Sequence, residues 1–326
     1  RQIRELCCIM VQQQATPHGW IVLNKPVGLS SAKAVGVIRR FFGGAKTGHA
    51  GTLDPLACGV LPIAIGEATK TISYVVTAEK SYQFTLRWGA ETQTDDSEGE
   101  ITRTSDYCPS VDEIKAILPQ FEGLIEQIPP VFSAVKVKGR RAYALARNRT
   151  NPSDKLTNIV LTPREVMINK FEITDHAGQQ TTFTVQCGKG TYIRALARDI
   201  GRALGSAAHV VFLERLAVGR FKIENAIDLD FFEKAVYNAR ACDYVIPVMT
   251  VLDDIPALAI TEQEAQKLRF GQTFNLDDDR SHMFLALASA SDQTAPFTGL
   301  AALGEQPIAI VRLEKQIVSP VRVLNL

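Results

Sequence analysis

The sequence lacks any strong excess of charge of one sign. Its 326 residues include 36 Lys and Arg and 35 Asp and Glu, which gives a formal net charge of +1 at pH 7. A nucleic-acid partner would therefore have to be held by a local basic patch rather than by the charge of the whole chain. The hydrophobic fraction of 46% and the charged fraction of 22% are ordinary for a globular enzyme.

Paired cysteines, clustered metal ligands and long apolar runs are also missing. None of the six cysteines forms a C-x-x-C pair, which argues against a disulfide framework and a zinc site and favours a reducing cytoplasm. The apolar stretch Leu6–Val11 is too short for a signal-peptide core or a membrane span. We therefore expect no membrane contact and interpret residues 1–17 as a poorly ordered extension, with a cleaved transit peptide as the alternative.

The run Gly48–Lys70 holds four glycines and two prolines, which disfavour a helix and an uninterrupted strand. It predicts a tight loop over Gly48–Pro55, a short buried segment over Gly59–Ile65 and a turn at Gly66. Asp54 in that loop is either an ordinary turn residue or a carboxylate on a rigid loop that other atoms can approach closely. The local pattern leaves both readings open.

Hydrophobic periodicity and capping signals predict most of the elements before residue 190. In Ser81–Trp88, alternation places Tyr82 and Phe84 on one face of a strand. The other predictions are a strand at Gly19–Asn24, a helix from a cap at Ser30 or Ser31 to about Phe42, a helical stretch after Lys70, an acidic loop at Gly89–Glu100, a helix opened by a capping box of Ser110 and Glu113, and two or three strands within Leu161–Gln186.

The segment Gly188–Gly205 predicts a helix capped by Thr191 and ended by Gly205. Arg194 falls in its first turn, where the helix dipole disfavours a cation. Such an arginine either has a specific anionic partner or extends into solvent, and the local pattern does not decide between them. The following segment, Ala207–Phe221, predicts a buried stretch that runs into a turn.

A basic segment, Lys136–Arg149, carries six cations and no carboxylate. A solvated charged face is one interpretation, and a surface that binds phosphates is the other, favoured by the absence of acidic residues. The six cations are Lys136, Lys138, Arg140, Arg141, Arg147 and Arg149.

A composition shift at Met249–Pro256 predicts a linker. Beyond it, Thr261 and Glu264 predict a short capped helix that ends at Gly271. The strands predicted there cover Met283–Leu287, Gly299–Gly304, Ile308–Leu313 and Pro320–Leu324, which together suit a small barrel-like module. The sequence thus predicts an α+β protein with an extension over 1–17, a catalytic domain over 18–249 and a small β domain over 250–326.

The order of residues in Gly48–Lys70, GHAGTLDPLACGVLPIAIGEATK, resembles the signature of the TruB-type tRNA pseudouridine-55 synthases. The resemblance extends over most of the chain from about residue 18. The other similar segments are Leu23–Gly28, Lys80–Tyr82, Gln127–Lys136, Gly188–Arg194 and His209–Phe221, and the C-terminal module resembles the family's PUA-type RNA-binding domain.

The resemblance implies a catalytic domain around a largely antiparallel mixed sheet. It also implies isomerisation of uridine to pseudouridine in the T-loop of tRNA, with the T-arm as partner and with no metal or cofactor. In that reaction the C1′–N1 bond breaks, the uracil turns, and C5 joins C1′. The target base must first be flipped out of its stack, at a cost of roughly a few kcal/mol.

The family pattern assigns roles to seven residues of this sequence. Asp54 matches the essential aspartate, which either attacks C1′ or acts as a base on the sugar, and Arg194 matches the arginine that pairs with it and stabilises its charge. Tyr82 matches the aromatic residue that stacks on the flipped uracil and takes the C5 proton. The substrate-binding matches are His49, Tyr192, Leu213 and, as support for the site, Lys25.

Three positions depart from the family pattern: Phe132 replaces a common tyrosine, Cys58 a small residue and Glu214 an arginine. We expect these departures to affect the affinity for RNA rather than the catalytic activity.

One alternative to the synthase is a non-catalytic protein that binds or folds tRNA. A phosphate loop at Gly43–Thr47 lacks the glycine needed before Lys-Thr, and a glycosidase would need a second carboxylate. We expect a monomer, because tRNA would cover most of one face.

Overall fold

The structure is a computed structural model that describes residues 17–133, 135–137, 139–142, 146, 161–237, 241–253, 255–286 and 297–326. The predicted N-terminal extension, apart from its last residue, lies outside the described residues. So do Lys138, Arg147 and Arg149 of the basic segment. Within that segment, β8 (Lys136–Val137) and β9 (Arg140–Arg141) pair antiparallel as a short hairpin.

Seven α-helices occur among the described residues, and the predicted capping signals begin three of them. Ser30, Ser110 and Thr261 are N-caps, and the last two form capping boxes with Glu113 and Glu264. The helices are α1 (Ser31–Phe41), α2 (Ile72–Thr77), α3 (Val111–Ile117), α4 (Ile193–Ala203), α5 (Leu229–Tyr237), α6 (Glu262–Arg269) and α7 (Asp278–Ala286).

A large mixed sheet organises the N-terminal three quarters of the chain. Its members are β1 (Gly19–Lys25), β2 (Thr47–His49), β3 (Cys58–Ile65), β4 (Lys80–Trp88), β7 (Gly123–Gln127), β10 (Arg164–Ala177), β11 (Gln180–Cys187), β12 (Ala208–Val218), β13 (Phe221–Lys222), β14 (Ile227–Asp228) and β15 (Ile246–Pro247). Its main path runs β14-β1-β3-β12-β4-β11-β10-β7, with a separate hairpin of β5 (Ala90–Thr92) and β6 (Ile101–Thr104) beside it. The pairs β1–β14 and β3–β12 are parallel and the others antiparallel, which confirms a largely antiparallel mixed sheet.

The two faces of the sheet carry separate cores. Helices α1 and α4 cover one face, where Ile38, Leu196 and Phe84 belong to a single buried cluster. On the other face Trp20 and Val22 share a cluster with Leu300, Ile310 and Leu324 from the C-terminal strands. Successive residues of β1 therefore serve different cores, as alternation in a strand that is buried on both faces requires.

The C-terminal part is a curled five-stranded sheet with two helices. The curled sheet confirms the barrel-like module that was predicted within an α+β protein. Its path is β16 (Ala257–Ala259), β18 (Phe297–Leu303), β19 (Gln306–Glu314), β20 (Ile317–Val323) and β17 (Phe274–Asn275). It is tied to the part that holds the large sheet, because Lys70 Nζ donates to the Val323 carbonyl at 2.7 Å and the Asn325 amide donates to Glu67 at 2.7 Å.

Three local predictions were wrong, besides that of the acidic loop Gly89–Glu100, which begins with strand β5. Met283 lies in α7 and not in a strand, because a short apolar run does not distinguish the two. The Gly48–Pro55 loop begins instead with β2, and Pro62 lies inside β3, where its carbonyl accepts from the Ala50 amide at 2.9 Å.

The third error concerns the start of α4. Its N-cap is Tyr192, while Thr191 turns its hydroxyl back to the Gly188 carbonyl at 3.1 Å. Thr191 therefore closes the preceding turn and does not cap the amides in the first turn of α4.

Candidate active site

A cavity of about 260 Å³ lies where the loop between β2 and β3 meets β4, β12 and the beginning of α4. The fold brings these elements together although they are far apart in the sequence; of the predicted site residues only Tyr192 and Arg194 share one element, the beginning of α4. The predicted site residues that line the cavity are Asp54, Tyr82, Tyr192, Arg194 and Leu213.

Asp54 and Arg194 form an ion pair in the wall of this cavity. Arg194 Nη2 lies 2.8 Å and Nε 2.9 Å from Asp54 Oδ2, and the arginine side chain is 4% exposed against 35% for the aspartate. The alternative in which Arg194 extends into solvent is thereby excluded. Oδ1 of Asp54 accepts no hydrogen bond from the residues that the structure describes, so one oxygen is held and the other is available to a substrate.

Arg194 is held in turn by groups that the sequence did not point to. It donates to the carbonyls of Thr94 at 2.7 Å and Phe132 at 3.0 Å, and Nη1 lies 3.5 Å from Asp96 Oδ2. The contact at Phe132 uses the backbone, so it does not depend on the phenylalanine that departs from the family pattern. Asp96 is 3% exposed, so the acidic loop is partly buried against α4.

The neighbouring aspartate repeats this arrangement one helical turn further along α4. Asp95 Oδ2 lies 3.1 Å from Arg198 Nη1. Burial raises the pKa of Asp95 to about 6, although Arg198 opposes the rise. Two successive aspartates are therefore fixed by arginines four residues apart, the spacing at which side chains share a helix face. This spacing was the one signal that could have located the pair in the sequence.

The loop that carries Asp54 is anchored on both sides of the aspartate. Ser31 Oγ donates to the Leu53 carbonyl and accepts from the Leu53 amide, both at 2.8 Å. The Gly28 amide donates to the Pro55 carbonyl at 2.7 Å. The residues before and after Asp54 are therefore both hydrogen-bonded to the chain at Gly28 and Ser31, around the beginning of α1. These bonds fix the position of the backbone that carries the Asp54 carboxylate.

Tyr82 and Leu213 form the apolar wall opposite the ion pair. Tyr82 is 9% exposed and Leu213 5% exposed, on adjacent strands β4 and β12. Burial raises the pKa of Tyr82, with Arg215 opposing the rise, so the phenol is protonated at neutral pH. An aromatic face beside a leucine suits a flat ring that stacks on it.

Tyr192 is fixed by its backbone at the beginning of α4. Gln127 Oε1 accepts from the Tyr192 amide at 2.8 Å, and Gln127 Nε2 donates to the Tyr192 carbonyl at 3.1 Å. Gln127 thus fixes the backbone of the N-cap residue, whose own side chain makes no capping hydrogen bond. Burial raises the pKa of the Tyr192 phenol, which therefore enters the cavity uncharged.

Lys25 and His49 are not among the residues that line the cavity. Lys25 is fully buried and donates to the carbonyls of Pro26 at 2.9 Å and Leu29 at 2.8 Å. Burial lowers the pKa of Lys25 to about 8, although Asp54 opposes the fall. Burial also lowers the pKa of His49, whose Nδ1 has no hydrogen-bond partner in the described structure. The substrate-binding roles of both residues remain predictions.

Nothing in the described part of the chain groups three or more His, Cys, Asp or Glu side chains so that they could hold a metal ion. None of its helices has the length and apolar character needed to cross a membrane.

Comparison with known families gives two adjacent matches. Residues 39–193 match the N-terminal domain of TruB family pseudouridylate synthases, and residues 194–255 match the C-terminal domain of tRNA pseudouridylate synthase B. The first boundary falls within α4, one residue before Arg194, so the ion pair joins the two matched regions.

Curated relatives cover most of the chain. The tRNA pseudouridine synthase B of Caulobacter vibrioides is 43% identical over 309 residues, which is 94% of this chain and 96% of the relative. The protein of the same name from Bradyrhizobium diazoefficiens is 48% identical over 261 residues, 78% of this chain and 74% of the relative.

A solved structure shares the fold at lower identity. A chain of a Cbf5-Nop10-Gar1 complex superposes with a TM-score of 0.68 at 22% identity, covering 99% of this chain and 87% of that one.

Proposed function

The chain belongs to the TruB family of pseudouridylate synthases and is a pseudouridine synthase, and on that premise we propose that it isomerises the position-55 uridine in the T-loop of tRNA. The observation that carries the proposal is the Asp54 carboxylate, held at one oxygen by Arg194 and open to the cavity at the other. A carboxylate held in this way can meet C1′ or a sugar proton without first reorganising.

The remaining cavity residues suit a flipped pyrimidine. The faces of Tyr82 and Leu213 would stack on the uracil, and Tyr192 would pack at its edge. Arg194 would stabilise the charge of Asp54 while the C1′–N1 bond breaks. After the base has turned and C5 has joined C1′, C5 must lose a proton and N1 must gain one. Because the Tyr82 phenol is protonated, it would pass its own proton toward N1 and take the C5 proton in its place. Either route for Asp54, attack on C1′ or removal of a sugar proton, uses the same oxygen.

We assign the remaining contacts with the tRNA T-arm to the basic segment Lys136–Arg149 and to the C-terminal domain, residues 250–326, behind a catalytic domain over 18–249. The protein would act as a monomer, because tRNA would occupy the face that holds the cavity. Light scattering tests this point, and a stable dimer that buries the cavity would contradict it.

The decisive experiment uses an unmodified tRNA transcript with tritium at uracil C5 and follows tritium release. We expect release by the wild type, none by Asp54→Asn, and unchanged tRNA binding by both. Asp112→Asn, which alters an exposed aspartate of α3, is the matched control and should keep full release.

A second transcript with cytidine at position 55 tests the site of modification, and it should release no tritium from its other uridines. If the wild type binds tRNA and releases nothing from either transcript, the chain is a non-catalytic tRNA-binding protein. Release from the cytidine transcript at the same rate would contradict the T-loop assignment alone.

A further inference from the structure

Arg215 is a buried cation at the cavity that the reaction scheme above does not use. It lies on β12, directly opposite Tyr82 of β4 and Gly59 of β3, and it is 1% exposed. It forms no ion pair with the residues that the structure describes. Burying a charge costs roughly several kcal/mol, so an arginine at this position needs a local reason.

The hydrogen bonds of Arg215 point to that reason. Its guanidinium donates to the carbonyls of Gly51 at 3.1 Å and Thr52 at 3.4 Å, three and two residues before Asp54. Nε donates to the Val60 carbonyl of β3 at 2.7 Å. Arg215 therefore joins the beginning of the Asp54 loop to the strand that follows the loop.

Arg215 also neighbours Tyr82, because the two residues stand directly opposite each other on the paired strands β12 and β4. The charge of Arg215 opposes the rise that burial causes in the pKa of the Tyr82 phenol. One arginine thus lies beside both the loop of the carboxylate and the aromatic residue of the cavity.

One glycine makes room for this arrangement. Gly59 has φ +96°, and a Cβ there would lie 2.3 Å from the Arg215 carbonyl oxygen. Because Gly59 belongs to Gly48–Lys70, part of that glycine pattern is explained by the close approach of Arg215.

We propose that Arg215 is a positioning residue that fixes the Asp54 loop relative to Tyr82. This inference rests on the proposed roles of Asp54 and Tyr82. The carbonyl bonds set the distance between the two catalytic candidates, because they join the Asp54 loop and β3 to the residue that pairs with Tyr82.

The first test is kinetic and uses Arg215→Lys and Arg215→Met under single turnover with the tritiated tRNA. We expect the rate constant to fall about 10- to 100-fold, as for a displaced reacting group, with tRNA affinity within about threefold. Arg280→Lys is the matched control, because Arg280 also donates to a carbonyl, that of Ala259, and to Glu264, but lies in the C-terminal domain. Its rate constant should not change.

The second test does not require activity and is therefore independent of the proposed function. In protein labelled with ¹³Cζ-tyrosine, the Tyr82 signal, assigned with Tyr82→Phe, should titrate at higher pH in Arg215→Met than in the wild type. Should Arg215→Met be unfolded, Gly59→Ala, which displaces the Arg215 backbone, replaces it in both tests.

An unchanged Tyr82 titration in a folded variant would overturn the proposal, and so would a wild-type rate constant in Arg215→Lys. If the wild type itself releases no tritium while the titration shifts as expected, the proposed function fails and the placement of Arg215 beside Tyr82 stands.

Discussion

Replacing Arg194 by lysine is the sharpest test of the ion pair, because it keeps the charge and removes the geometry. Arginine contacts Asp54, Asp96 and two carbonyls at once. Lysine donates from a single nitrogen and cannot span these groups. We expect it to remain with Asp96, which is 3% exposed, because pairing stabilises most where water is excluded.

The expected magnitude follows from the loss of the pair with Asp54. Two unit charges about 4 Å apart interact by about 4 kcal/mol at an effective dielectric constant of about 20. Asp54 is 35% exposed, so screening by water leaves roughly 2–3 kcal/mol. Since each 1.36 kcal/mol corresponds to tenfold in rate, kcat should fall about 30- to 150-fold.

The assay is tritium release at saturating tRNA, with the melting temperature measured on the same preparations. Arg198→Lys is the control, because Arg198 is a buried arginine of the same helix that lies outside the cavity lining. It should lose stability without a comparable fall in kcat. A folded Arg194→Lys variant with kcat within about threefold of the wild type would refute the reasoning.

Two further predictions concern the groups around the site. Ser31→Ala removes both hydrogen bonds to Leu53, so we expect roughly 1–3 kcal/mol of lost stability in denaturant titration together with a lower kcat; an unchanged kcat would show that the loop does not need this anchor. Glu67→Gln tests the contact with the C-terminal domain. Burial alone would raise the pKa of Glu67, but hydrogen bonds from Asn325 and Lys70 hold it below the usual 4.5. Its contribution, about 1 kcal/mol, should therefore be present above pH 4.5 and be lost as the pH falls through the lower, folded-state pKa, so the melting temperatures of wild type and variant should differ at pH 7 and converge in acid.

Local patterns predicted the elements whose cause is local. The alternation in Ser81–Trp88 is the alternation of β4, and the capping boxes at Ser110 and Thr261 depend on residues three positions apart. In each case the partners that decide the structure lie within one short window, so the sequence shows them directly.

The partners of the site are distant in sequence, and local patterns could not show them. In the sequence, Asp96 is one residue of an acidic turn. Only the fold places it beside Arg194, which lies 98 residues later in the chain. The backbone of Tyr192 is held by Gln127, 65 residues away. The resemblance to the family supplied Asp54 and Arg194 but not the groups that hold them, since those groups are defined by the packing of the sheet.

The distribution of these supports bears on how the site tolerates change. Where a support is a backbone carbonyl, as at Thr94 and Phe132, the side chain can vary without loss of the contact. Where the supporting group is a side chain, as at Ser31 or Arg215, a substitution removes the contact itself. Phe132 therefore has no cost for the ion pair. By the same argument the least replaceable residues around Asp54 are those that reach its loop through a side chain.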